Sequence, residues 1–207
     1  MKRIRKSILM LGAVISLYSL SCSRNNFPGN TVDTLPNTVI LKWNEVAFEA
    51  FGGSAYQHSL MASRINAMTH IVMHDALNAI KPKYSTYVFN GNDIAADPIA
   101  AAAAAAHTVL LHEIPDKKNF LDSTLSQTLS AIAEGDAKTS GISLGKQAAQ
   151  AIINDRADDG SAGELIGQIP PSTTPGVYQP VPPFNIIFVP HWENVKLFGL
   201  ERKDQFR

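Results

Sequence analysis

The sequence predicts an all-α protein, a bundle of about five helices followed by a proline-rich irregular segment. Three observations predict it. Apolar residues recur every three to four positions in five separate stretches, and residues that start or stop helices bracket each stretch. Seven of the twelve prolines lie between Gly167 and Pro190, which forbids regular helix there and leaves little alternation for a sheet.

The first helix is expected over Val39 to Phe51, with Ile40, Trp43, Val46, Ala47 and Ala50 at helical spacing before Gly52-Gly53 ends it. The second begins near Ser59, a plausible cap, aligns Met61, Ile65, Met68, Val72, Ala76 and Ala79 on one face, and stops at Pro82. Asp97-Pro98 pairs an N-cap residue with proline at the first helical position, so it starts the third helix, which Pro115 closes. The fourth, from Asp116, aligns Leu121, Leu125, Leu129 and Ile132. The fifth starts around Asp136 and ends at Asp158-Asp159-Gly160.

Helices three and five are suited to each other. Ala100 to Ala106 is an unbroken alanine run, and helix five carries Gly141, Gly145 and Ala149 at four-residue spacing. Glycine inside a helix costs about 1 kcal/mol relative to alanine, a loss that close backbone approach would offset. The two small-residue faces are therefore expected to pack tightly and antiparallel.

From Gly167 to Pro190 an ordered but irregular strap over the bundle is expected. The tail, with Trp192, Val195, Phe198, Leu200 and Phe206, is too apolar for a solvated terminus.

Residues 1–22 read as an export signal: Lys2, Arg3, Arg5 and Lys6 form a basic region, Ile8 to Leu20 an apolar one, and Ser21-Cys22 a processing site. Cys22 is the only cysteine, so it has no disulfide partner within the chain, and its position resembles the acylated cysteine of bacterial lipoproteins, although Ser19 stands where leucine is usual. The expectation is an exported protein tethered to the membrane through Cys22, on the periplasmic or cell-surface side. Residues 23–38 are polar and rich in turn formers and read as a tether, leaving 39–207 as the helical part. Without the four cations of the signal, 14 basic residues face 18 acidic ones. That balance argues against nucleic acid as a partner.

The helix from Ser63 to Ile80 places His70, His74, Asp75 and two asparagines among apolar residues, which is costly unless each polar group finds a partner. His70 and His74 are four apart, a spacing that can place two imidazoles on zinc. Ile71, however, stands where the zinc-protease helix motif has its glutamate, and no third ligand is evident. The expected role is structural: buried histidines and Asp75 hydrogen-bonded to neighbouring helices or to the proline-rich strap. His107 and His112 are expected to pack at a helix end, and His58 and His191 read as loop histidines without an identifiable partner.

Several segments occur in an order that resembles one family. They are Leu41-Lys42-Trp43-Asn44-Glu45-Val46-Ala47, then His70-Ile71-Val72-Met73-His74-Asp75-Ala76-Leu77-Asn78-Ala79-Ile80, then the alanine run ending at His107. Ala137-Lys138-Thr139-Ser140-Gly141 with Leu144-Gly145 follows, then Arg156-Ala157-Asp158-Asp159-Gly160-Ser161 and Pro175-Gly176-Val177-Tyr178. Trp192-Glu193-Asn194-Val195 and Gln205-Phe206-Arg207 complete the series. Residues 39–207 thus resemble the N-terminal half of bacterial proteins related to vanadium-dependent haloperoxidases, in the type 2 phosphatidic acid phosphatase superfamily.

The resemblance implies that vanadate, or a phosphate ester, would be held in a C-terminal half by a lysine with an arginine-proline pair, a Ser-Gly-His segment, and an arginine and a histidine. An oxyanion needs that many cationic and amide donors. Lys196 and Arg202 only imitate the first pair, with spacing one residue short and Lys203 in place of proline, and Ser140-Gly141 is followed by Ile142. No catalytic, cofactor or metal residue is therefore assigned, and vanadate is expected only for a complete relative. Three readings follow: an N-terminal portion inactive alone, whose partner is its C-terminal half or another copy; a stand-alone helical lipoprotein that binds a partner; or a metal-binding module through His70 and His74.

Overall fold

The computed structural model describes residues 36–55, 58–168, 170 and 172–207. The segment expected to be an export signal, with Cys22, and the expected tether up to residue 35 lie outside the described residues. Among those described, five α-helices account for most of the fold: α1 (Thr38–Ala50), α2 (Ser59–Ile80), α3 (Pro98–Glu113), α4 (Lys118–Ser130) and α5 (Asp136–Arg156). None is long and apolar enough to cross a membrane.

Local chemistry sets most of the boundaries. Asp97 accepts the Ala100 N–H at 2.8 Å and Pro98 occupies the first helical turn of α3. Gly135, at φ +145°, opens α5. Two starts differ from the sequence reading. His58 rather than Ser59 caps α2, its Nδ1 accepting the Met61 N–H at 3.2 Å. A 3-10 turn over Pro115–Lys117 precedes α4, because the fixed φ of Pro115 suits a tight turn there.

α3 is the central helix and touches the other four, most extensively α5. All seven alanines from Ala100 to Ala106 are fully buried. One side of α3 (Ala101, Ala105, Val109) packs with Met68, Val72 and Ala76 of α2 and with Leu144, Ala148 and Ile152 of α5. The other side (Ala102, Ala106, Leu110) packs with Trp43, Val46 and Ala50 of α1 and Leu121 of α4. With so little side-chain bulk on the central helix, its neighbours close directly on its backbone.

The expected α3–α5 contact is present, and it is as close as the glycines imply. A Cβ on Gly145 would lie 2.3 Å from the Ala101 carbonyl oxygen, and one on Gly141 2.5 Å from that of Asp97. Its direction is not the expected one. Asp97 donates its N–H to Ala137, and the contacts advance from Asp97 and Gly141 to Ala101 and Gly145, so the helices run parallel. The physical reason is α4, which returns beside α3 between them in sequence, as the His107–Asp122 contact shows.

The proline-rich segment is irregular as expected, except at its base. There β1 (Ile166–Gly167) and β2 (Ile187–Phe188) pair antiparallel, Ile166 opposite Phe188 and Gly167 opposite Ile187. Val181 and Phe184 within the segment are 70% and 69% exposed, whereas at its base Phe188, with Trp192 beyond it, meets the His58 ring. The tail divides similarly. Phe198 packs under Arg156 and Trp192 is half-buried, whereas Phe206 is 82% exposed.

Candidate functional site

Three polar residues of α2, His74, Asp75 and Asn78, hold the loop that follows it. Asp75, at 1% exposure, accepts the backbone N–H groups of Tyr87 at 2.7 Å and of Val88 and Phe89 at 2.9 Å. Asn78 accepts the N–H groups of Lys83 and Tyr84 and donates to the His74 carbonyl at 2.9 Å. His74 Nε2 lies 3.0 Å from the Ser85 carbonyl oxygen and 3.1 Å from the Asn78 side-chain nitrogen. The Tyr84 ring stacks on His74 with centroids 6.1 Å apart.

His70 Nε2 donates to the Asn44 side-chain oxygen at 3.0 Å, bridging α2 to α1, and burial holds this imidazole below its ordinary pKa. His70 thus meets a neighbouring helix, as expected, whereas His74 and Asp75 reach the loop that follows α2. Both histidines are only partly buried, and Asp75 reaches the 81–93 loop rather than a neighbouring helix or the strap. The two Nε2 atoms serve separate hydrogen bonds, which disfavours a shared zinc ion. Among the described residues, no group of three or more His, Cys, Asp or Glu is placed to hold a metal ion.

Three of the four remaining histidines also have partners. His107 is buried well inside α3, not at its end; it lies 2.8 Å from Asp122 of α4 and meets the edge of Trp43. Asp122 is held below the usual carboxylate range by its hydrogen bonds to Lys118 and then to His107. His112 is exposed. His58, besides its cap, contacts Phe188 and Trp192, and His191 donates from Nε2 to the Ser161 carbonyl at 3.2 Å.

A second polar centre escaped the sequence reading. Arg64 and Arg156, both buried, converge on Asp159 Oδ2 at 2.7 and 3.0 Å. Arg64 also binds Glu113 at 2.7 Å and the Arg156 carbonyl at 3.2 Å. Arg156 donates to the carbonyls of Leu197 and Lys196 at 3.2 and 2.5 Å and lies 3.9 Å from the Phe198 ring centre. Burial pushes the Asp159 carboxyl up, but hydrogen bonds from Ser161 and Arg64 outweigh it and hold the group below its ordinary value. Two cations face two carboxylates, so the centre is neutral, and it clasps the chain at 194–198 to the end of α5. The available signal was an arginine four residues after Ile152 and three after Ile153, on the buried face of α5.

None of this is an oxyanion cradle. Lys196 is paired with Asp155 at 2.6 Å and Arg202 with Asp204 at 3.1 Å, so a carboxylate stands beside each cation where vanadate or phosphate would need a donor. Ser140 and Gly141 lie within α5, with Gly141 against the Asp97 backbone. Among the described residues, neither Lys196 with Arg202 nor Ser140 with Gly141 fits such an anion. No family model, curated protein or solved structure matches the chain.

Proposed function

We propose that this chain supplies the N-terminal helical part of an exported protein related to vanadium-dependent haloperoxidases and type 2 phosphatidic acid phosphatases, and that it serves as scaffold rather than as the oxyanion-binding part. One observation carries the scaffold reading. Residues 165–190 contain no Asp, Glu, Lys or Arg. Along them Leu165, Ile166, Val177, Tyr178, Val181, Phe184 and Phe188 are all exposed. Apolar surface on that scale marks an interaction site. The order of the family-like segments favours, as its occupant, the oxyanion-binding half of the same kind of domain. The buried arginine clasp supports the reading, because it fixes the direction in which the chain passes from the bundle to residues 198–207.

The cheapest test is to read the gene past the codon for Arg207. The proposal expects a frame encoding a lysine with an arginine-proline pair and a Ser-Gly-His segment, there or in an adjacent gene. Their absence from both would reject it in favour of a stand-alone binding protein.

A further inference from the structure

We propose that the pocket between the 89–93 loop and the N-terminal half of α5 is a binding site for a neutral carbohydrate, of about one or two sugar rings. It is independent of the scaffold reading and lies on a different part of the molecule from the apolar arm. The pocket has a volume of about 380 Å³, at the small end of the roughly 300 to 1,000 Å³ typical of ligand sites.

Its two walls are built differently. On one side the loop contributes Phe89, Asn90, Asn92 and Asp93, and it is held at both ends before any ligand arrives. The Phe89 N–H is bound by Asp75 at 2.9 Å, and the Asp93 N–H by the Ala79 carbonyl at 2.9 Å. The Thr86 hydroxyl donates to Asn90 at 2.5 Å. Gly91 lies so close to the Phe89 ring that a Cβ there would come within 2.3 Å of it. On the other side Ser140, Ser143 and Gln147 follow the i, i+3, i+7 spacing that puts them on one face of α5, beside Leu144. A pocket pinned in this way loses little freedom on binding.

The chemistry of the lining selects the ligand class. Three carboxamides and two hydroxyls provide donors and acceptors in pairs, which match vicinal hydroxyl groups. Asn92 and Ser140 make no side-chain hydrogen bond to another described residue, and Gln147 uses only its amide nitrogen, on Ser143 at 3.2 Å. Asp93 is the only charged residue in the lining, so an anion would meet a carboxylate with no cation beside it. A largely apolar ligand would strand the carboxamides unpaired. A single carboxylate is also a poor basis for a calcium site, which is built from several. Phe89, which is half-buried, remains to contact the apolar face of a sugar ring.

The test is chemical-shift mapping of the purified, isotope-labelled full chain. The probes are methyl α-glucoside, methyl β-galactoside and N-acetylglucosamine, with inorganic phosphate and calcium as counter-probes. At least one sugar is expected to move the amide resonances of residues 89–93 and 140–147 saturably, with a Kd of about 1 mM. Gln147→Ala and Asn92→Ala, both at exposed positions, should each weaken that binding at least about tenfold, since 1.4 kcal/mol is the worth of one good hydrogen bond, and should leave the thermal midpoint unchanged. Three results would overturn the proposal: no shift with any sugar at about 50 mM, fifty times that Kd; shifts that persist in both variants; or shifts with phosphate or calcium but not with sugars.

Discussion

Replacing Gly145 with alanine sets two effects of opposite sign against each other. In a free helix, Gly→Ala stabilises by about 1 kcal/mol. Here the added Cβ would lie 2.3 Å from the Ala101 oxygen, 2.8 Å from the Ala105 nitrogen and 3.0 Å from the Ala104 Cβ. Two of those atoms belong to the α3 backbone, so no rotamer change relieves the clash and the helices must separate by about 1 Å in a close-packed interior. Overpacking of this kind costs about 1 to 3 kcal/mol, with backbone contact placing it in the upper part. The net expectation is destabilisation by about 1 to 2 kcal/mol, a fall of roughly 2 to 8 °C in thermal midpoint for a fold of this size. Gly145→Leu should cost more, and Gln150→Ala, at an exposed position of the same helix, should be nearly neutral. Thermal unfolding followed by circular dichroism measures all three. A midpoint raised by Gly145→Ala would refute the close approach of α3 and α5, because propensity alone gives that sign.

Asp75→Asn keeps the shape but replaces a carboxylate that accepts three N–H groups, so it should cost about 2 to 3 kcal/mol and speed amide exchange at residues 87–89. The Asp159 carboxyl has a folded pKa below its unfolded value. Its contribution is therefore complete above about pH 4 and lost as pH falls through the folded value; Asp159→Asn should remove that part of the acid limb of a stability–pH curve while destabilising at neutral pH. His70 also has a lowered folded pKa, so its part of stability is present above about pH 6.5 and declines below it; His70→Gln should flatten that step. Cys22→Ala should move the protein from the membrane to the soluble fraction or block its processing, as fractionation and mass spectrometry would record.

Local signals were legible in the sequence, and relations between distant elements were not. Asp97-Pro98, Pro82 and Pro115 mark helix ends through their own backbone chemistry, so the five helices fall close to where the pattern puts them. The fit of Gly141 and Gly145 to the alanine run was readable because side-chain volume is a property of each residue. The parallel direction of α3 and α5 depends on where α4 returns, and spacing within either helix carries no record of that. Asp75 was recognisable as a buried carboxylate in need of partners, but its partners are backbone N–H groups, which every non-proline residue carries. Arg64 and Asp159 stand 95 residues apart, so their pairing has no local signature. The carbohydrate-type pocket has the same character: the 89–93 loop and the Ser140, Ser143 and Gln147 stripe are unremarkable apart and acquire chemistry only when the fold brings them together.

The scaffold account is tested most directly by turnover. The purified chain, supplied with vanadate, hydrogen peroxide and bromide, is predicted to halogenate an indicator no faster than buffer, and to leave a phosphate monoester unhydrolysed. Its two candidate cations are already paired with Asp155 and Asp204, and loss of even one preorganised donor commonly costs about a hundredfold or more in rate. Saturable, vanadate-dependent bromide oxidation that co-purifies with the homogeneous chain would contradict the account and place an oxyanion site within these residues.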